Sequence, residues 1–265
     1  MSNSIKEKRI KEKKAAKVAS EKQQDAKLYR LMLQFALVFV AVVLAIRTEN
    51  NQIIMHTVVL PPFLLVMGIL FGLSAILFTF RKMKNVDESG KVLTSAFIFG
   101  NITSLFASGL IYYIYDNVEL VIATLITLTV LYFAHNIYAG NFFAYSSFTA
   151  AGFLLIRLAK AVPSADGFFY TLGRLGVLAA KPLMIVLALA TIALGILLIV
   201  KNKNYTFAGI TIGGKKCAVT FFICAAAVIA GLVLLIASPA STILADFILL
   251  ASYLVIAVIC TVKMI

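Results

Sequence analysis

Two charged residues lie inside long apolar stretches of the sequence and are the first leads to function. Asp246 lies in STILADFILLASYLVIAVIC, and Lys181 lies in LAAKPLM. If these stretches cross a membrane, each charge costs about 2.5–3.5 kcal/mol at a helix centre, so such residues are usually paired or functional. Pro182 suits the first turn of a helix, which would place Lys181 at the membrane interface. We expect both residues near the outer ends of their helices, as a structural pair or as a site for an ion or anionic group.

Two uncharged polar residues lie nearer the middle of another apolar stretch. Asn101 and Thr103 occur in FIFGNITSLF. Polar side chains of this kind hydrogen-bond across membrane helices, usually for about 0.6–2 kcal/mol. We therefore include both residues with Asp246 and Lys181 in a candidate intramembrane polar site.

A third polar group interrupts the apolar chain in VLYFAHNIYAGNFFAYSS, residues 130–147. His135 has no Cys, Asp or Glu beside it, which makes a metal site there unfavourable. Gly140 offers a turn, and Asn136 and Asn141 are suited to capping the two adjoining helix ends. This pattern favours a tight hairpin between two membrane helices over a binding site.

Motifs that would support catalysis are missing from the sequence. There is no H-E-x-x-H and no G-x-x-x-x-G-K-[ST], and the two histidines are far apart. Cys217, Cys224 and Cys260 lack the spacing of metal ligands and are typical of small buried apolar residues. We therefore expect no enzyme activity, no cofactor and no metal.

Composition identifies the class of protein that must position these residues. Of 265 residues, 62% are hydrophobic and only 13% are charged, and the mean hydropathy is +1.01. Soluble domains are about 45–50% apolar and about 25% charged. The sequence therefore predicts an all-α, polytopic bundle of transmembrane helices.

About eight spans follow from apolar runs close to the roughly 20 residues that cross a bilayer. The fifth is the weakest, because it is short and contains SSFT. The predicted spans are Leu31–Ile46, Thr57–Phe80, Val92–Tyr115, Glu119–His135, Phe142–Ile156, Gly176–Val200, Cys217–Ala237 and Ser241–Val262.

Basic residues predict the orientation of the chain in the plasma or inner membrane. Residues 1–28 form a basic arm, and two further lysine-rich loops fall on the same side, which the positive-inside rule assigns to the cytoplasm together with both termini. One loop disagrees, since RLAKAVPSADGFFYTLGR carries three basic residues on the outer side. The net charge of +13 is explained by insertion and by anionic lipid headgroups at the arm, without a nucleic-acid partner.

A weak internal similarity divides the transmembrane domain, residues 29–265. The stretches beginning at Pro62 and Pro182 both run apolar for one span and end in lysine and asparagine. They are compatible with two parallel four-helix halves, residues 29–139 and 140–265, as in some transporters.

These features lead to a functional expectation. A transporter or permease-like component for a small solute or ion is the leading interpretation, and a non-catalytic scaffold or assembly subunit is the alternative. A lipid-modifying enzyme ranks last, because no group is placed for acid–base work. Contact with the lipid bilayer is expected, and the partner is either a second copy or another membrane or soluble subunit.

Overall fold

Helices dominate the structure, a computed structural model that describes residues 2–49, 54–88, 90–138, 140–201, 205–207, 210–212, 215–237 and 242–262. Within these residues there are eight α-helices and one short antiparallel hairpin of two strands. The helices are α1 (Ser2–Glu49), α2 (Leu60–Met83), α3 (Ser95–Tyr115), α4 (Val118–Ile137), α5 (Gly140–Leu158), α6 (Gly167–Lys201), α7 (Lys215–Ala237) and α8 (Thr242–Val262), and the strands are β1 (Tyr205–Phe207) and β2 (Ile210–Ile212).

The predicted all-α, multi-pass architecture is confirmed. Each of the eight predicted spans coincides with one helix, and a π-helical turn at Met55–Val59 leads into α2. Among the described residues, six helices are long and apolar enough to cross a membrane: α1, α2, α3, α4, α6 and α7. Large apolar side chains cover much of their surfaces. Such extended apolar surfaces require lipid contact, as in a multi-pass membrane protein.

The first helix is much longer than the predicted span of Leu31–Ile46. It is 48 residues long, which at 1.5 Å per residue is about 72 Å. The hydrocarbon core of a bilayer is about 30 Å thick. Residues 2–28 of the predicted basic arm are therefore a continuous helical extension of the span, and α1 is long enough to reach well beyond the membrane.

The sixth helix also differs from the prediction, because it begins at Gly167 rather than Gly176 and is 35 residues long. Gly167 starts it in a left-handed conformation, with φ of +62°. The sequence predicts a loop, RLAKAVPSADGFFYTLGR, that ends at Arg174, whereas the last eight residues of this stretch are already helical. Pro182 consequently lies inside the helix, and not in its first turn as predicted.

The chain divides into two compact units, Met1–Leu110 and Ile111–Ile265. The boundary lies within α3 rather than between residues 139 and 140. The two prolines that suggested a repeat also differ in position, since Pro62 lies in the first turn of α2 and Pro182 lies well inside α6. The two parallel halves remain a prediction.

In the first unit, α2 and α3 pack through aromatic rings. The ring of Phe71 stacks on Phe99 and Phe106, with centroids 5.7 and 5.6 Å apart, and Phe78 stacks on Phe99 at 5.4 Å. Offset stacks at these distances contribute about 0.5–1.5 kcal/mol beyond their burial. They join α2, many of whose apolar side chains are exposed, to α3, most of whose side chains are buried or half-buried.

The loop between α2 and α3 is closed by Glu88. Its carboxylate pairs with Arg81, and its Oε2 accepts hydrogen bonds of 2.8 Å from the backbone N–H and the hydroxyl of Ser95, where α3 begins. Desolvation raises the pKa of Glu88, but the hydrogen bonds from Ser95 and Arg81 outweigh it and hold the pKa below its ordinary value. The carboxylate therefore stays ionised at neutral pH and caps α3.

In the second unit, the central helix is α5, the weakest of the predicted spans. It packs against α4, α6, α7 and α8. Tyr145 and Ile156 are fully buried, and Gly152 allows close approach, because a Cβ there would lie 3.1 Å from Val228 of α7. Small and hydroxyl-bearing residues favour such helix contacts in membranes. The small and hydroxyl-bearing residues that make α5 the weakest predicted span therefore suit a central position among the helices.

Candidate functional site

The clearest polar cluster in the second unit is centred on Arg157, at the end of α5. Its Nη2 atom lies 2.7 Å from Oδ2 of Asp246 on α8, and its Nη1 atom lies 3.3 Å from Oε2 of Glu119 on α4. The side chain of Asp246 is 13% exposed and that of Arg157 is 33% exposed, whereas Glu119 is 83% exposed. The cluster therefore has a partly buried ion pair at its inner end and an exposed contact at its outer end.

Three helix ends place these charges together. Arg157 lies in the last turn of α5, and Glu119 lies in the first turn of α4. Asp246 lies four residues after Thr242, the first residue of α8. Carboxylates are favoured near helix N-termini and cations near C-termini, because the backbone dipoles point that way. Arg157 and Glu119 are thus supported by their own helices as well as by each other, whereas Asp246 lies beyond the first turn of α8 and depends mainly on Arg157.

The hydrogen bonding of this ion pair is incomplete. Among the described residues, Nε of Arg157 and Oδ1 of Asp246 are buried without a hydrogen-bond partner. The guanidinium lies 5.5 Å from the ring centroid of Phe153, which supplies a cation–π contact but no acceptor. An unpaired donor and an unpaired acceptor side by side are costly in a buried site. A polar ligand group that hydrogen-bonds to these two atoms would therefore bind favourably here.

The ion pair lies in the wall of a cavity of about 510 Å³ between α4, α5 and α8. Ligand pockets usually have volumes of about 300–1,000 Å³, with apolar walls and a few polar groups. Most of the lining here is apolar, and the polar side chains are at Thr127, Ser146, Thr149, Arg157, Asp246 and Tyr253. Ser146 faces Tyr253 but makes no well-formed hydrogen bond.

The cavity is elongated and has two different ends. Ser146 and Arg157 are eleven residues apart on α5, which corresponds to about 16 Å along the helix axis. Arg157 and Asp246 line one end, and Ser146 lines the other with Tyr253. The arrangement can hold a molecule with a polar group at the charged end and an apolar body along the wall.

The predicted partner of Asp246 was wrong. Asp246 pairs with Arg157, whereas Lys181 is an exposed residue fourteen positions into α6. Asn101 donates to the carbonyl of Phe97 at 3.0 Å, and Thr103 donates to that of Phe99 at 2.7 Å. These hydrogen bonds lie within α3, so they do not provide the contact between helices that the sequence predicted. Asn101 and Thr103 belong to the first unit and Asp246 and Lys181 to the second, so the four-residue site stays a prediction.

The segment around His135 forms a helical hairpin. The helix α4 ends at Ile137 and α5 begins at Gly140. The ring of His135 contacts Phe143 edge-on, with centroids 5.0 Å apart. Asn136 donates to the carbonyl of Tyr132 at 2.7 Å, and Asn141 lies in the first turn of α5. This geometry agrees with a turn between two helices.

Arg157 was missed because the predicted fifth span ended at Ile156. A helical pattern in the sequence contains the missing signal. Ser146, Ala150, Phe153 and Arg157 follow one another at intervals of four, three and four residues, so they share one face of an α-helix. All four line the cavity. A helix face that begins with a serine and ends with an arginine is therefore a better indicator of this site than the isolated acid alone.

Among the described residues, no group of three or more His, Cys, Asp or Glu side chains is arranged to hold a metal ion. Cys224 is buried on α7, with its sulfur 3.6 Å from the hydroxyl of Thr149. The side chains of Cys217 and Cys260 lie outside the described residues.

Comparison with protein-family models, with curated proteins and with solved structures yields no match to this chain. The functional conclusion therefore depends on the geometry of the site.

Proposed function

We propose that this multi-pass membrane protein is a transporter or permease component that binds a small amphipathic solute in the cavity of its second unit. The observation that carries the proposal is the partly buried Arg157–Asp246 pair in the wall of an apolar cavity of about 510 Å³. Charges inside membrane proteins are expensive and commonly mark pathways for substrates or ions. In this proposal both termini are cytoplasmic and the protein resides in the plasma or inner membrane.

The site residues have separate roles in this proposal. Arg157 and Asp246 bind the polar group of the solute, because each has an unused hydrogen-bonding atom. The apolar walls from α4 and α8 bind the rest of the molecule through desolvation. Glu119 is exposed and offers Arg157 a second carboxylate while the solute is bound.

Flux measurements on reconstituted vesicles test this proposal. The solutes are radiolabelled choline, glutamate and glycine betaine, with fluorescent phospholipids whose transbilayer movement is followed by chemical quenching. We expect movement of at least one of these solutes. Asp246→Asn should slow it by about tenfold or more, because a charge-assisted hydrogen bond contributes about 1.5–3 kcal/mol.

Lys181→Met is the matched control, because Lys181 is an exposed charge of the same unit and is not part of the cavity lining. Its flux should equal that of the wild type. If Asp246→Asn and Lys181→Met both leave every flux unchanged, the cavity is not the transport site.

A scaffold function has one observation in its favour, the length of α1. This helix is about 72 Å long, from 48 residues at 1.5 Å each, and Lys17, Lys22 and Lys27 are exposed on it. Such a basic extension is suited to binding anionic lipid headgroups, at about 1 kcal/mol per lysine near a membrane surface.

Vesicle tethering tests the scaffold function. Proteoliposomes of the full chain should capture vesicles that contain phosphatidylserine, and deletion of residues 2–27 should abolish the capture. Capture should also weaken as salt is raised, because salt screens exposed charges. Equal capture of neutral vesicles would exclude the proposed electrostatic docking.

A further inference from the structure

The charged end of the cavity is located at helix termini, which would lie near a membrane boundary if α4 and α5 cross the bilayer. Arg157 ends α5, and Glu119 begins α4. The cavity extends from there along α5 to Ser146, about 16 Å further along the helix. A lipid has the same arrangement, with a polar headgroup at the boundary and a hydrocarbon chain below it.

The cavity also opens sideways, toward the apolar surface of the protein. Its lining includes Ile126 and Val130 of α4 and Ile243, Phe247 and Leu250 of α8. All five of these side chains are exposed, Phe247 by 62%. Exposed apolar side chains on both edges form an entrance that a molecule dissolved in the bilayer can reach without crossing water.

The charges at the polar end sum to zero. Arg157 and Asp246 form the buried pair, Glu119 contacts Arg157, and Lys160 is close enough to act electrostatically on Asp246. Two cations therefore face two carboxylates. A headgroup with a net charge would leave that charge uncompensated where the dielectric constant is low, whereas a zwitterionic headgroup brings one charge for each partner.

We propose that the cavity binds one hydrocarbon chain of a zwitterionic membrane lipid, which enters sideways from the bilayer between α4 and α8. The ammonium group of the headgroup donates to Oδ1 of Asp246, and a phosphate oxygen accepts from Nε of Arg157. Both side chains line the cavity, and in this proposal they rotate so that these atoms point toward the lipid. The proposal rests on the transport function above and names its substrate class.

The chain contains no tryptophan, so a single introduced tryptophan reports on the cavity. Phe247→Trp places the indole at the entrance. Leu244→Trp is the matched control, because Leu244 is also exposed on α8, three residues earlier, and does not line the cavity. The probe is lysophosphatidylethanolamine with a brominated chain, which quenches tryptophan fluorescence at short range.

We expect saturable quenching of Phe247→Trp at a low mole fraction of the probe, and only weak, linear quenching of Leu244→Trp. Unlabelled lysophosphatidylethanolamine should reverse the saturable part. Adding Asp246→Asn should weaken binding by about tenfold, as one charge-assisted hydrogen bond is lost. Equal, linear quenching at both positions would overturn the proposal.

A second variant guards against loss of folding. Ala150→Leu fills the cavity from α5 without removing either charge, and circular dichroism checks that the helices remain. We expect loss of saturable quenching with unchanged helix content. Undiminished binding in this variant would place the lipid elsewhere and contradict the proposal.

Two competitors separate the possible sources of the headgroup. Anionic lysophosphatidylglycerol should compete at least about tenfold less well, and equal competition would overturn the choice of a zwitterionic group. Glycerophosphoethanolamine, the headgroup without a chain, should not compete, and effective competition would identify a water-soluble ligand instead.

Saturable lipid binding without flux would reject the transport function and leave the binding site. Flux of a soluble solute that depends on Asp246, without lipid binding, would reject the lipid-binding site and leave the transport function.

Discussion

Replacing Arg157 with leucine should destabilise the protein by about 3 kcal/mol. Removal of one partner from a buried ion pair typically costs about 3–5 kcal/mol, because the remaining charge is left uncompensated. The lower value applies here, since Lys160 still acts on Asp246 and Arg157 is one-third exposed. The free energy of unfolding in a mild detergent, followed by circular dichroism, measures the effect.

A double variant distinguishes the ion pair from simple packing. Arg157→Leu combined with Asp246→Leu removes both charges, so most of the lost stability should return. Glu119→Gln is the control at the exposed end of the same cluster and should cost less than about 1 kcal/mol. If the double variant is as unstable as Arg157→Leu alone, the cause is lost packing of the Arg157 side chain on Phe153 and not the unpaired carboxylate.

Gly173→Leu should destabilise the second unit by about 3 kcal/mol, through overpacking. Gly173 is buried near the start of α6, and a Cβ there would lie 2.7 Å from Ile114 and 3.0 Å from the ring of Pro163. Its carbonyl also accepts a hydrogen bond of 3.1 Å from the hydroxyl of Tyr115. The rigid proline ring cannot move aside as a flexible side chain would.

The matched control is Gly100→Leu on α3, where nothing lies within 4 Å of an added Cβ. Leucine favours a helix over glycine by roughly 1 kcal/mol, so this variant should be neutral or slightly stabilised. Thermal unfolding of both variants in the same detergent gives the comparison. Similar melting temperatures for the two would show that α6 does not pack closely on Ile114 and Pro163.

The eight helices could be predicted because the signal for a membrane span is local. About 20 apolar residues cross a bilayer whatever surrounds them, and each predicted span coincides with a helix, although only six of the helices in the described residues, not including α5 and α8, are long and apolar enough to cross a membrane. The boundaries were less certain where a charge interrupts an apolar run. Arg157 and Arg174 were both assigned to loops, although α5 and α6 contain them, because the energetic cost of a charge depends on whether it finds a partner.

The partner of Asp246 could not be predicted from the sequence. Hydropathy identifies which segments are helices but does not determine which helices are neighbours. The choice of Lys181 depended on depth alone, whereas Arg157 is the residue within 2.7 Å. Packing of α5 beside α8 decides this pairing, and it requires small and hydroxyl-bearing residues on the facing surfaces of α5.

The sequence by itself determined the class of the protein, the approximate positions of the helices that the structure describes and the presence of a rare acid within the last of them. These properties depend on local hydrophobicity and on the cost of burying charge. Only the tertiary structure decided that the polar α5 is central, that Arg157 forms an ion pair with Asp246, and that a cavity lies beside them. Those features depend on contacts between segments far apart in the chain, which no local pattern of hydrophobicity specifies.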